Sequence, residues 1–373
     1  MRVKEYPFYL KSTFILFGLI LLVYILFTLG DIIVPVAIAA FMAVLLNPLY
    51  NRLLHFKLPV PIAALFTLLI AVTIFSALFY FLSAQVYQFG ESFPLLKNKL
   101  TAVIDGTEKY IYSHFGVSTQ RQVQFVKEAL NSSQEMVGKT LGTVLGTVSV
   151  ILLVPVYIFM MLLYKKLILN FLYEVFSEEH SKRVGEILQQ TKAAVQSYIV
   201  GLLIEMIIIA ILNSTALLVL GVRYAILIGV IGAILNMLPL IGGLLGILLA
   251  VLMATVTKDG FSTQIAIIVA YTVIQFIDNN IIFPRFVSVK VQINALISII
   301  AVLLGNALWG MSGMFLSLPC VAVLKIIFDR VDELKPWGKL LGDEIPLKHM
   351  GQIWIKRRRK TTITEEVIKA VSG

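Results

Sequence analysis

The sequence predicts an all-α polytopic membrane protein, and three observations predict it. Hydrophobic residues make up 59% of the 373 positions and charged residues only 14%, against about a quarter charged in ordinary soluble domains. The apolar residues gather in separate runs, many of which approach or exceed the roughly 20 residues a helix needs to cross the hydrocarbon. Alternating ten-residue strands are absent, so helices rather than a barrel carry the spans.

About eight membrane segments follow in order. The first, residues 14 to 29, comes after MRVKEYPFYLK and imitates a signal peptide. No small-x-small cleavage site follows it and Asp31 opens another apolar run, so it reads as a retained span. The others cover about 31 to 48, 59 to 83, 140 to 164, 198 to 220, 224 to 256, 261 to 283 and 293 to 327. Two are anomalous. Segments 224 to 256 and 293 to 327 are too long for one ordinary span and too short for two with a turn. Each is broken at its middle by turn formers, NMLPLIGG at Asn236 to Gly243 and GNALWGMSG at Gly305 to Gly313.

Lys and Arg near span ends set the orientation. Arg2, Lys4 and Lys11 before the first span, Arg52 and Lys57 after the second, and Lys165 and Lys166 after the fourth go inside. Both termini are then cytoplasmic and residues 84 to 139 form a small extracytoplasmic helical insertion. The organisation is residues 1–83, three spans; 84–139, the insertion; 140–197, the fourth span and cytoplasmic amphipathic helices; 198–327, a transport core; and 328–373, a basic cytoplasmic tail. Inside the core, Arg285 and Lys290 must return to the cytoplasm, which makes each broken segment begin and end on one side. They read as re-entrant helical hairpins inserted from opposite sides, an inverted repeat of the kind secondary transporters use to place polar backbone near the midplane. An offset of 70 sets Asn236 on Asn306, Leu238 on Leu308 and Gly243 on Gly313. Two closely packed full-length helices in each segment are the competing reading.

Several function classes lose support. The single cysteine, Cys320 in LPCVAVL, excludes an intrachain disulfide framework and disfavours a thiol metal site. His55, His114, His180 and His349 all fall outside apolar runs, and no HExxH, Walker or dinucleotide fingerprint occurs. An enzyme, a resident cofactor and a metal centre are not expected. The formal charge is +10, but its densest cluster, Lys356, Arg357, Arg358, Arg359 and Lys360, lies just beyond the last apolar run. Juxtamembrane clusters attract anionic lipid at about 1 kcal/mol per charge, so lipid contact is expected and nucleic acid is not.

The candidate site is polar and intramembrane: Glu205, Asn213, Asn236, Gln275, Asp278, Asn279 and Asn306 as substrate or ion contacts. Pro239, Gly242, Gly243, Trp309, Gly310 and Gly313 shape the hairpin tips. Glu205 lies about two turns into an outward helix and Asp278 about one turn from the end of an inward one, so the acids share a layer. A carboxylate in lipid costs at least a few kcal/mol, and its default reading is functional. Glu205 and Asp278 then carry a proton or Na+. Two structural readings stay open: Asp278 pairs with Arg285 or caps a backbone break, and Glu205 bonds across a helix interface.

Two stretches resemble the autoinducer-2 exporter (AI-2E) family of bacterial inner-membrane proteins. They are GVRYAILIGVIGAILNMLPLIGGLLG at Gly221 to Gly246 and DNNIIFPRFVSVKVQINALISIIAVLLGNALWGMSGMFLSLPCVAVLKII at Asp278 to Ile327. The resemblance implies a homo-oligomeric permease for autoinducer-2 or a related small polar solute, with Na+(Li+)/H+ antiport as the alternative. Leu240 departs from the aromatic that often follows the hairpin proline in the family. From a different class, a non-transporting membrane scaffold is the third hypothesis, although a scaffold has no need of two broken hairpins.

Overall fold

The structure, a computed structural model, describes residues 7–115, 148–175, 178–237, 242–258, 260–287 and 293–343. Pro239, Leu240 and the cluster Lys356 to Lys360 lie outside the described residues, as does the greater part of the expected C-terminal tail. Every regular element among the described residues is helical.

Helix α1 (Phe8–Thr28) leads through Leu29 into α2 (Gly30–His55), and α3 spans Val60–Phe115. Apolar residues surround α1 on every side and most of its side chains are exposed, the pattern of a helix solvated by lipid. Helix α3 runs without interruption past residue 84 and far beyond its apolar stretch of Val60–Ala84. Next come α4 (Val148–Leu163) and α5 (Lys165–Val175), which meet at a 66° bend. Packing of α2, α3 and α4 around Ala39, Ala63, Ala64 and Leu162 forms one core. Small residues allow that close approach where lipid supplies no hydrophobic drive.

Helix α6 (Glu178–Val219) is continuous. The sequence reading ended separate cytoplasmic helices at 197 and began a span at 198. The segment EILQQTKAAVQ contains neither Pro nor Gly, so the helix passes through that boundary unbroken.

After α6 the chain doubles back. Tyr224, left-handed at φ 58°, precedes α7 (Ala225–Asn236), and α8 (Gly242–Thr257) packs along it. A Cβ on Gly246 would stand 3.3 Å from the Gly232 Cα, and one on Gly242 would strike the Leu235 carbonyl. Helix α9 (Ser262–Ile277) continues into a π turn (Asp278–Ile282) and the short α10 (Phe283–Phe286). The π turn has a local cause. Pro284 cannot donate to the Asn280 carbonyl and its ring crowds that oxygen. The ladder instead closes one residue wider, with the Phe283 N–H donating to the Asp278 carbonyl.

Helix α11 (Ala295–Arg330) passes a length-and-composition test for one long span, yet its backbone is non-helical at Trp309 and Gly310. A Cβ on Gly305 would meet the Gly313 carbonyl oxygen, and one on Gly313 would meet that of Gly305. In a straight helix those residues lie about 12 Å apart, so the chain reverses there. Gly310, at φ 59° and ψ −141°, occupies backbone space that only glycine enters readily. Both ends of α11 come back to α12 (Lys335–Leu341): the Asn294 side-chain amide donates to the carbonyls of Leu340 at 2.7 Å and Gly342 at 3.0 Å. Arg330 pairs with Glu186 and Arg183 with Asp332, which fastens this end to the start of α6.

By length and composition five helices among the described residues suit a membrane crossing, or six if the bent α4–α5 pair is one span. The chain is a multi-pass helical membrane protein.

Candidate functional site

The site forms where α6, the C-terminal end of α7, the first residues of α8 and the π turn after α9 meet. Gly201 on α6 admits the Phe286 backbone, since a Cβ there would lie 2.2 Å from the Phe286 oxygen. This contact runs α10 down the face of α6 and brings Asp278 level with Glu205. Asn236, the last residue of α7, reaches both acids. Its Nδ2 donates to Asp278 Oδ2 at 2.8 Å and sits 3.5 Å from Glu205 Oε1, the limit of a hydrogen bond.

The acids are enclosed: Glu205 is 4% and Asp278 2% exposed. Glu205 Oε2 and Asp278 Oδ1 have no hydrogen-bond partner. Gln275 Nε2 donates to Asp278 Oδ2 at 3.4 Å and to Asn279 Oδ1 at 3.3 Å, so amides alone hold Asp278. Arg285 is exposed, and the charge pairing with Asp278 that the sequence left open is not made. Glu205 meets the Asn236 amide across the α6–α7 interface, the cross-helix hydrogen bond that the sequence left open.

These residues line a cavity of about 370 Å³, at the small end of the roughly 300–1,000 Å³ of ligand pockets. Tyr198, Met237, Leu244 and Phe283 supply apolar wall, while the two acids and three amides supply the polar groups. Among the described residues no Lys or Arg lines it. Two close carboxylates without a cation ask for a proton or a small cation between them. Asn236 Oδ1 and Gln275 Oε1 offer further oxygens, and no group of three or more His, Cys, Asp or Glu occurs among the described residues.

The structure thus gathers Glu205, Asn236, Gln275, Asp278 and Asn279, with Gly243 in the wall. Gly243 stands where it does because a Cβ would overlap Gln275 Oε1. Asn213 lies two turns further along α6, beside a second, smaller void. Asn306 does not join them. It is exposed on the first arm of α11, because the reversal at Trp309 turns Gly305 and Gly313, not Asn306, toward the neighbouring arm. Trp309 leaves the core altogether: its indole Nε1 donates to the Leu26 carbonyl of α1 at 2.8 Å. Tyr198 was missed by the sequence reading, although its seven-residue spacing from Glu205 puts both on one face of α6.

Buried acids facing amides in a cavity, inside a bundle of apolar helices, define a membrane protein with an internal polar site. The chain belongs to the AI-2E transporter family, whose profile matches residues 14–333. It is 22% identical over 315 residues to "AI-2 transport protein TqsA" of Escherichia coli (strain K12), covering 84% of this chain and 90% of that one. Similarity extends to "Putative transport protein YueF" of Bacillus subtilis (strain 168), at 23% over 317 residues, 79% of this chain and 82% of that one. "Putative permease PerM" of E. coli (strain K12) is 23% identical over 202 residues, 53% of this chain and 57% of its own.

Proposed function

We propose that the chain is a secondary transporter that exports a small polar solute of the autoinducer-2 kind across the bacterial inner membrane, driven by an ion gradient through Glu205 and Asp278. The observation that carries this reading is the shared Asn236 amide: two buried acids, with no basic neighbour among the described residues, meet at the end of α7 in a cavity sized for a small molecule. Loading a proton or Na+ cancels one of the two negative charges, and releasing it restores the repulsion between them. Such a site couples ion occupancy to the position of the α7–α8 tip.

The hairpins enter the membrane from opposite sides. In support, the ends of the first meet near Gly221 and Lys258, and the start of the second, Asn294, bonds to Gly342 at the end of α12, the helix that follows its C-terminal arm. The first junction lies at the end of α6 and the second beside its start at Glu186. The close pairs Leu235–Gly242 and Gly305–Gly313 also nearly coincide at the 70-residue offset. Both termini are cytoplasmic, the basic tail contacts anionic lipid, and the protein works as a homo-oligomer.

Proteoliposomes loaded with labelled autoinducer-2, under an imposed pH gradient, test the reading. Gradient-dependent solute efflux supports it, whereas sodium flux without solute flux would replace it by cation/proton antiport. Single cysteines at Ile226 and Val256 test the insertion: labelling from one side is expected, and labelling from opposite sides rejects the re-entrant first hairpin.

A further inference from the structure

Among the described residues five buried side-chain atoms have no hydrogen-bond partner, and all belong to α6, α9 and the π turn that continues α9: Glu205 Oε2, Asn213 Oδ1, Gln264 Oε1, Tyr271 Oη and Asp278 Oδ1. The cavity accounts for the two acids. Asn213, Tyr271 and Gln264 are 4%, 4% and 6% exposed and have no part in it. An unsatisfied buried polar atom is costly in a bilayer core, where water does not compensate it, so three in one bundle call for an explanation.

Their placement supplies one. On α9, Gln264, Tyr271, Gln275 and Asp278 follow at spacings of seven, four and three, a single helix face about 21 Å long. On α6, Asn213 stands about 12 Å beyond Glu205. Asn213 and Tyr271 flank a void of about 10 Å³, with Asn236, Gly243 and Gln275 forming the wall it shares with the carboxylate cavity. That is the smallest space that holds one water, and the lining offers the two to four polar partners a water needs. Gly232 and Gly246 leave the space open by having no side chains. Beyond Tyr271, Leu217 and Ile267 are fully enclosed and close the way. Past them lies Gln264, with its Nε2 3.5 Å from Thr255 Oγ1.

We propose that this file is a water path for protons between the carboxylate pair and the far end of the bundle: Asn213 and Tyr271 hold a relay water, Leu217 and Ile267 form a dry gate, and Gln264 receives water beyond it. The inference rests on the transport reading and deepens it by naming the coupling ion. A proton passes a one-water constriction by exchange along hydrogen bonds. A sodium ion there would have to shed its hydration among neutral groups, for no charged side chain lines the void.

Two readouts on the full-length protein in liposomes test the path. X-ray radiolysis oxidises side chains beside ordered water even when bulk solvent cannot reach them. Tyr271 is expected to label about as fast as cavity-lining Tyr198 and well ahead of buried Tyr50, and Gly232→Ala, whose Cβ would stand 3.4 Å from Asn213 Nδ2 without a clash, abolishes that labelling. Tyr271 labelling no faster than Tyr50 overturns the proposal. In the second, acid-driven proton uptake into pyranine-loaded vesicles slows about tenfold in Tyr271→Phe and in Gly232→Ala, as expected on displacing a bound water, while Ile267→Ala speeds it. Unchanged uptake in the first two variants overturns the path even if Glu205→Gln stops solute flux, in which case the carboxylate reading stands. Slowed uptake in both, with Glu205→Gln without effect on solute flux, keeps the path and removes the coupling role of Glu205.

Discussion

Asn236 donates to Asp278 at 2.8 Å across 42 positions of sequence, and this bond joins the C-terminal end of α7 to the π turn that follows α9. The same amide nitrogen faces Glu205. Asn236→Ala removes the one group among the described residues that touches both acids and leaves Asp278, among those residues, with the longer Gln275 contact. Charge-assisted hydrogen bonds contribute about 1.5–3 kcal/mol each, so solute flux is expected to fall at least about tenfold. Asn236→Asp, which adds a third acid and removes the donor, is expected to fall further. Flux assays on variants matched for insertion check both.

Hairpin reversal at Trp309–Gly310 requires bare backbone at Gly305 and Gly313. Alanine at either position drives a Cβ into the facing carbonyl, and overpacking of that kind costs about 1–3 kcal/mol. Both variants are expected to lower the melting temperature in detergent. Gly18→Ala in α1, with nothing within 4 Å, leaves it unchanged or raised. Fluorescence-detected size exclusion after heating compares the three.

Trp309→Phe keeps the aromatic bulk and removes the hydrogen bond to the Leu26 carbonyl. A net loss of about 0.5–1.5 kcal/mol is expected, appearing as looser attachment of α1. Hydrogen exchange at the α1–α2 junction, residues 26 to 32, is the measurement, with faster exchange as the expected outcome.

At the other end of α11, the Lys335 ammonium, then Arg183, hold the exposed Asp332 carboxyl below the usual carboxylate range. Because its folded value is depressed, the link to α6 is fully present above the ordinary aspartate range and is lost as pH falls through that lower value. Exchange protection of residues 331 to 341 is expected to decline on acidification through that window. Asp332→Asn removes that pH dependence.

The five span-length apolar helices among the described residues and the layer shared by Glu205 and Asp278 were legible because both follow from run lengths and the helical rise, which are local properties. The break inside 293 to 327 was legible from the segment's length and the turn formers of GNALWGMSG, within which the backbone is non-helical at Trp309 and Gly310. Asn306 was misplaced because its direction depends on which face the arms turn inward, and only the Gly305–Gly313 contact decides that. The anchoring of Trp309 on Leu26 links positions 283 residues apart, beyond any periodicity. The π turn had a signal in Pro284, but an early proline announces a helix end as readily as a widened turn. Tyr271 carries no signal in the sequence, and only the structure shows its hydroxyl buried without a partner.

The central claim is that the buried acid pair couples an ion gradient to solute movement. Purified wild type and the double variant Glu205→Gln, Asp278→Asn are reconstituted at equal density, and efflux of labelled autoinducer-2 is followed under an imposed pH gradient. Gradient-driven efflux from wild-type vesicles, and efflux from the double variant no faster than from protein-free vesicles, is the predicted result. Equal gradient-driven efflux from both proteins would contradict it.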